Sequence, residues 1–437
     1  MLLTKLFRGG VPVPHRKHTA ESGTVIMDTP AKVIIPMIQH IGAPCLPLVK
    51  KGEQVKVGQV VGDSEAFVSS PVHSSVSGIV TKVEPMLYAS GKLVMSVEIE
   101  TDGKQEKWEG LAVPVVERKE QFLKAVRGSG LVGLGGAGFP AHVKLNPSKD
   151  KEVDYLIING AECEPYITSD YREFMENPSG IIEGIQMVMD KVGIPRAIIG
   201  IEDNKPAAIS LMKEKASTDN RISVYSLRSR YPQGAEKILI YTTTGRKVPP
   251  GKLPADVGCI VMNVNSVSFI ASFIKTGMPL VNKRVTVDGS VVRQPMNIEV
   301  PIGTSLADVF EFCGGFTSSP YKILMGGPMM GIAQYSLETS VIKVTNAILA
   351  LDKKEGDLPP ESPCIRCGHC VSSCPMNLLP LHIDRLVMAD RYEELDKFHV
   401  LDCIECGSCS YSCPAKRHLV QSIRLGKETY RRKNQKT

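Results

Sequence analysis

Eight of the twelve cysteines in this 437-residue chain fall in two matching runs near its C-terminus. Cys364, Cys367, Cys370 and Cys374 precede Pro375, and Cys403, Cys406, Cys409 and Cys413 precede Pro414. Both runs read C-x2-C-x2-C-x3-C-P, the bacterial-type ligand pattern for iron–sulfur clusters. Three thiolates spaced by two residues wrap one face of a cube, and the fourth Cys of each run ligates the other cluster. The expected ligand sets are therefore Cys364, Cys367, Cys370 and Cys413 for one 4Fe–4S cluster, and Cys403, Cys406, Cys409 and Cys374 for the other. Any fold of this part has to bring the two runs together. A chain built this way moves single electrons.

Clustered cysteines argue for metal in a reducing compartment, not for disulfides. The other four, Cys45, Cys163, Cys259 and Cys313, are isolated and read as small core residues. With 43% hydrophobic and 22% charged residues the composition is that of a soluble globular protein of several domains. The N-terminal MLLTKLFRGG lacks the long apolar core of a signal peptide. No stretch reaches ~18 uninterrupted apolar residues, so no membrane-spanning helix is expected. The formal charge of +6 is concentrated in the tail, at Lys416, Arg417, Arg424, Lys427, Arg431, Arg432, Lys433 and Lys436. That tail reads either as a solvated, frayed terminus or as a patch facing an acidic electron carrier or anionic lipid. Nothing else points to nucleic acid.

From Ala31 to about Glu100 short valine and isoleucine runs alternate with turn signals at Lys51-Gly52, Val57-Gly58 and Ser77-Gly78. After Trp108 the pattern becomes helix over Glu117–Arg127. Strands over Asp154–Asn159, Arg196–Ile201 and Ile222–Leu227 then alternate with helices over Ile181–Lys191 and Lys205–Lys215, an α/β layer sandwich. In KRVTVDGSVV, from Lys283, Asp288-Gly289 signals a strand–turn–strand hairpin. A helix over Thr304–Phe312 follows, capped by Thr304 or Ser305. Lys353–Pro363 reads as a linker. The spacer between the cysteine runs has helical periodicity. It favours an α-helical dicluster domain over a compact two-strand ferredoxin. His369 and His382 are surplus to eight thiolates, Met329-Met330 reads as packing in a turn, and His15 and His18 sit on an arm expected to pack on another subunit.

Between helix and first strand lies GLVGLGGAGFPAHVK, Gly130–Lys144. Gly133, Gly135 and Gly138 match G-x-G-x-x-G, but a helix precedes them and Pro140 follows closely, so the dinucleotide-fold context fails. Backbone this free of Cβ atoms can lie against a phosphate or a flavin edge.

Four blocks in this region carry a resemblance. GLVGLGGAGFPAHVK, NGAECEPYITSD (Asn159–Asp170), YPQGAE (Tyr231–Glu236) and MNVNS (Met262–Ser266) resemble, in order, the flavin and nucleotide blocks of the FMN-binding subunit of respiratory complex I. The segment VKKGEQVKVGQVVG resembles lipoyl-type barrel-sandwich domains. Its Glu65–Ser70 stretch lacks the modified lysine, so it is expected to be a structural or docking module. The hairpin and helix after Lys283 resemble a soluble-ligand-binding β-grasp domain. This order of domains resembles the RnfC family, from the Rnf ion-translocating electron-transport complexes, over nearly the whole chain.

The resemblance implies a multidomain fold, α/β plus β. It has an arm and barrel-sandwich domain over 1–115, an α/β flavin domain over 116–275, a β-grasp domain over 276–350, and an α-helical two-cluster ferredoxin domain with basic tail over 351–437. It implies FMN and NAD(H) beside the clusters. Gly133, Gly135, Gly136, Gly138 and Lys144 would hold the FMN phosphate and ring edge. Asn159, Gly234, Asn263 and Ser266 would also line the flavin. Phe139 would face the nicotinamide or adenine. Glu162, Glu164 and Glu236 would accept bonds from nucleotide hydroxyls, favouring NADH over NADPH. Ala161, Ala235 and Leu134 depart from the family's Asp, Glu and Arg. The implied setting is the cytoplasmic face of a membrane, held peripherally by integral subunits and an iron–sulfur subunit fed by ferredoxin, in a complex that moves Na+ or H+. Two rivals are a soluble NADH-oxidising component of a hydrogenase or formate dehydrogenase, and a cluster-bearing scaffold with a decayed flavin site.

Overall fold

The computed structural model describes residues 6–148 and 150–434. The start of MLLTKLFRGG and Lys436 of the basic tail lie outside the described residues.

Period-2 alternation builds the first layer. Strands β1 (Thr24–Ile26), β2 (Lys32–Pro36), β3 (Leu46–Pro47), β4 (Gln54–Val55), β5 (Val60–Asp63), β6 (Val72–His73), β7 (Gly78–Leu87) and β8 (Leu93–Thr101) follow in order. Two antiparallel sheets, β2-β8-β7-β4 and β3-β5-β6, close over Val33, Ile35, Val61, Val97 and Ile99, all fully buried. β1 does not join them. It pairs in parallel with a strand far along the chain. At the hairpin tip over 65–70, Phe67 is exposed and Ser69 and Ser70 are buried.

The next layer holds α1 (Lys119–Gly128), α2 (Ala141–Lys144), β9 (Tyr155–Gly160), α3 (Ser169–Glu176), α4 (Pro178–Val192), β10 (Arg196–Glu202), α5 (Pro206–Ala216), β11 (Ile222–Leu227), α6 (Glu236–Thr244), β12 (Cys259–Asn263) and α7 (Val264–Thr276). The four strands are parallel in the order β11-β10-β9-β12. They are rich in isoleucine and valine because helices cover both faces. Gly184 lets α4 lie directly on α7, since a Cβ there would collide with the Val267 carbonyl.

The third layer comprises β13 (Asn282–Asp288), β14 (Met296–Pro301), α8 (Leu306–Phe312), β15 (Lys322–Met325), β16 (Ile332–Gln334) and β17 (Ala347–Leu351), in a mixed sheet ordered β1-β14-β13-β17-β15-β16. Ser305 caps α8, its hydroxyl accepting from the Asp308 N–H at 3.0 Å. The Asp288-Gly289 hairpin differs from expectation. The chain turns there, but Val291 and Val292 enter no strand. The partner of β13 is β14, with Val287 opposite Met296. Val291 and Val292 go into the core beneath α8 instead, so burial outweighed the short-turn signal.

The C-terminal part is helical: α9 (Lys353–Gly356), α10 (His369–Ser372), α11 (Pro380–Met388), α12 (Ser408–Tyr411) and α13 (Leu419–Asn434), with 3-10 turns over Tyr392–Phe398 and Val400–Asp402. As far as Asn434, the last described residue, the tail is helical. Leu419, Val420 and Ile423 bury one face of α13 against α11, and Lys427 donates to the Cys403 carbonyl at 2.8 Å. Of the charges that suggested fraying, Lys427 is buried on the packed face, Arg424 pairs with Glu405, and Arg431, Arg432 and Lys433 lie in the last turn. Among the described residues no helix is long and apolar enough to cross a membrane.

Candidate functional site

In an open parallel sheet, ligands bind beyond the carboxyl ends of the strands where the chain order reverses. Here that point lies between β9 and β12. Asn159 and Asn263 end these two strands and stand in register with each other. The Asn159 amide donates to the Gly234 carbonyl at 2.8 Å, and its oxygen accepts from the Ala161 N–H at 3.2 Å. Asn263 caps α7 by accepting from the Asn265 N–H at 2.9 Å. Its amide donates to Asp170 at 2.8 Å, and Asn265 holds the other Asp170 oxygen at 2.6 Å. Asp170 lies within the NGAECEPYITSD block, and only the fold shows it clamped by Asn263 at the end of β12 and Asn265 in the first turn of α7.

The glycine loop runs beside this crevice. Gly135, Gly136 and Ala137 are exposed. Gly135 sits directly on Asn263, where a Cβ would strike the amide, and nothing lies within 4 Å of a Cβ on Gly136. Gly138 has φ +72. The Gly133 N–H donates to the Phe139 carbonyl at 2.9 Å, which closes the loop and leaves Phe139 half-buried. Ser266 lies beneath it, accepting from the Leu134 N–H at 3.2 Å, and Leu134 is a core residue. Lys144 on α2 meets Glu236 on α6 at 2.7 Å and the Val261 carbonyl at 3.0 Å. The barrel-sandwich domain docks here on its own chain: the Ile41 N–H donates to the Gly138 carbonyl at 3.2 Å.

Glu162 and Glu164 leave β9 on a segment with φ +50 at Glu162 and φ +70 at Tyr166. One oxygen of each is satisfied, Glu162 by the Asp170 N–H at 2.6 Å and Glu164 by the Met329 N–H at 3.0 Å. The other oxygens, Glu162 Oε2 and Glu164 Oε1, are buried without a protein partner. Burial raises both carboxyls, Glu164 to about 7. Lone buried acceptors of this kind suit hydroxyl or amide donors of a ligand. Crevice, cradle and acceptors fit a flavin and a dinucleotide.

The cysteines ring two cavities. One, with about 380 Å³ of atom-free space, is lined by Cys364, Cys367, Cys370 and Cys413. The other, with about 340 Å³, is lined by Cys374, Cys403, Cys406 and Cys409. Among the described residues no His, Cys, Asp and Glu group is arranged to hold a single metal ion. Four sulfurs spread around a cavity suit a polynuclear cube instead. The two runs repeat each other in backbone detail. Arg366 and Glu405 both have left-handed φ (56° and 57°), which aims their N–H groups at Cys364 Sγ (3.4 Å) and Cys403 Sγ (3.3 Å). Gly368 and Gly407 open α10 and α12 with φ near +79° and +78°. Burial pushes the Cys403 thiol up to about 11 and raises Cys374 and Cys409 as well, so thiolates there need the positive charge that iron supplies. His382 stacks on Phe398 at 5.6 Å, and neither it nor His369 lines a cavity.

One block bonds to both the crevice and the second cavity's wall: Gly234 accepts from Asn159, and Tyr231 reaches Cys406. Tyr231, of the YPQGAE block, donates its hydroxyl to the Cys406 carbonyl at 2.7 Å. Around it pack Val11, Cys163, Met329 and Ile404. Cys163 is thus an interface residue and not the core cysteine expected, because the segment after β9 turns toward the cluster domain. Met329 does pack, as expected, and its N–H also holds Glu164.

Family comparisons agree with this layout. Residues 5–104 match the RnfC barrel sandwich hybrid domain, 126–272 the Nuo51 FMN-binding domain, 284–333 the SLBB domain and 363–428 the 4Fe-4S dicluster domain. The chain is 46% identical over 427 residues to the RnfC-type subunit of the proton-translocating ferredoxin:NAD(+) oxidoreductase complex of Clostridium ljungdahlii, covering 97% of this chain and 93% of that one. The chain belongs to the RnfC family. Another member, from the Na(+)-translocating ferredoxin:NAD(+) oxidoreductase complex of Acetobacterium woodii, is 46% identical over 96% of each chain. The equivalent subunit of the Rhodobacter capsulatus ion-translocating oxidoreductase complex is 38% identical over 96% of this chain and 82% of its own. An NAD+-reducing [NiFe]-hydrogenase crystal structure shares the fold at TM-score 0.51 and 19% identity, over 71% of this chain and 63% of that chain. As a member of the RnfC family the protein is an oxidoreductase subunit with FMN-binding and dicluster domains, and the rival reading as a soluble hydrogenase component falls.

Proposed function

We propose that this chain is the NAD(H)-facing subunit of an ion-translocating ferredoxin:NAD oxidoreductase complex. It would sit peripherally on the cytoplasmic side of the membrane, held by integral subunits and linked to an iron–sulfur subunit that ferredoxin feeds. The observation that carries this reading is the link between two sites. The 231–234 segment accepts from Asn159 of the crevice at Gly234 and bonds through Tyr231 to Cys406, which lines the second cavity.

When bound, FMN supplies exchange between hydride and single electrons, and 4Fe–4S clusters carry electrons singly. The chain's residues do the rest. Gly133, Gly135, Gly136 and Gly138 would let the backbone approach the flavin, and Lys144 would supply a positive charge for its phosphate. Asn159, Asn263 and Gly234 fix the ring edge, Ser266 supports the loop, and Phe139 gives the nucleotide an apolar face. Glu162 and Glu164 accept hydrogen bonds from the nucleotide and repel a 2′-phosphate. The first cavity, with Cys364 and Cys367 exposed, faces the neighbouring iron–sulfur subunit.

The test is an anaerobic titration of the reconstituted chain. NADH bleaches the flavin band and reduces the clusters, and NADPH does so far less well. Clusters without flavin, or a flavin untouched by NADH, would mean a scaffold with a decayed site.

A further inference from the structure

The N-terminal arm was expected to pack on another subunit, yet it threads through its own. The Gly10 N–H donates to the Ser373 carbonyl at 2.8 Å, and Val11 exchanges backbone bonds with Tyr231 at 2.8 and 3.1 Å. His15 gives its carbonyl to the Tyr166 N–H at 3.0 Å and its ring to Asn204 at 2.7 Å. His18 meets Asp288 at 3.3 Å, and Thr19 meets Thr168 at 2.6 Å. Between them Lys17 inserts its ammonium into the turn after β9. It donates to the carbonyls of Glu162 (2.9 Å), Glu164 (2.8 Å) and Ile167 (2.5 Å).

That turn is the one bearing the two carboxyls with unpartnered oxygens. Its left-handed Glu162 and Tyr166 are conformations that non-glycine residues keep only when their surroundings over-determine them. Three carbonyls of one turn converging on one ammonium are such a determinant, because each charge-assisted bond outweighs a neutral one. The ammonium also balances a crowded acidic neighbourhood. Glu162, Glu164 and Glu202 act on it from the flavin domain, with Lys205 as the second cation and Cys163 beside it. The flavin-type fold supplies the carboxyls, and the arm supplies the counter-charge that shapes them.

We infer that Lys17 is a positioning residue for the nucleotide. Its ammonium folds the 162–167 turn so that Glu162 and Glu164 present their free oxygens together to the NADH ribose or amide. This rests on the reading of the crevice as the NADH site.

The experiment uses the full chain reconstituted anaerobically with FMN and clusters. Lys17→Ala raises the KM for NADH about tenfold, the consequence of losing ~1.4 kcal/mol of binding. Bound FMN and iron stay at wild-type levels. Added n-propylammonium, which refills the vacated channel with a charge, lowers that KM again and leaves the wild type unaffected. Lys17→Arg keeps the KM within about twofold. An unchanged KM in Lys17→Ala overturns the inference, as does a raised KM that the amine does not lower. Joint loss of FMN and iron overturns it too, because the arm would then be scaffold alone. The wild type separates the two claims. Flavin that NADH fails to bleach there refutes the crevice itself, whereas bleaching with an unaltered KM in the variant refutes only Lys17.

Discussion

The two cysteine cavities come from one repeated sequence pattern and share left-handed turns, glycine-opened helices and N–H bonds to sulfur, yet their surroundings differ. The second is enclosed. Cys406 and Cys409 are buried, Tyr231 bonds the Cys406 carbonyl, and a Cβ on Gly407 would come within 3.0 Å of the Met329 carbonyl. The first has Cys364 and Cys367 exposed, with Ile365 66% exposed between them. A repeat therefore sets ligand geometry, while the neighbours set how far each cysteine is exposed. One cavity looks inward to the flavin domain and the other outward.

The sharpest way to break that asymmetry is to remove one site at a time. Cys406→Ser should stop NADH from reducing the remaining cluster while the flavin still bleaches. Cys364→Ser should leave the second cluster reducible. Electron paramagnetic resonance of NADH-treated protein reads both, and the reverse pattern would invert the order of the two sites.

A smaller effect tests the wall between crevice and second cavity. Glu164 is raised from 4.5 to about 7 by burial. Across that window the folded state keeps a proton that the unfolded state has released, so its contribution to stability falls as pH rises from 4.5 to about 7. Glu164→Gln, which cannot ionise, should match the wild type near pH 4.5 and become about 1–3 kcal/mol more stable above pH 7. Thermal midpoints at about pH 5 and about pH 8 measure it, and a constant difference would contradict the burial argument. Smallest is Tyr231→Phe, which deletes one buried hydroxyl bond. It should cost about 1 kcal/mol and slow flavin-to-cluster transfer in stopped flow without changing cofactor content.

What could be read from the sequence was local. The cysteine spacing, the parallel strands with β11 at Ile222–Leu227, the Ser305 cap and the glycine loop each announce themselves within a few residues. The Asp288-Gly289 hairpin misled because turn chemistry marks where a chain bends and not which segment pairs next. Lys17, Asp170 and Lys343 gave no signal. Lys343 is buried and donates to the carbonyls of Pro71 (2.7 Å) and Gly130 (2.6 Å), joining three domains beneath the glycine loop. A lysine in sequence reads as a solvated charge, and only assembled domains offer carbonyls to hold it dry.

The arm's bonds span nearly the whole chain: Arg16 pairs with Glu355, and the Thr19 carbonyl accepts from Asn297, 278 positions on. The arm completes its set of partners only after the cluster domain, with Ser373, has been synthesised. Contacts of such sequence separation close late. Gly9 has φ +78, and a Cβ there would come within 2.5 Å of the Cys374 carbonyl, so the arm lies tight against the end of the first cysteine run, whose Cys374 lines the second cavity. One short segment thus ties the first cysteine run, Tyr231 and the 162–167 turn to each other.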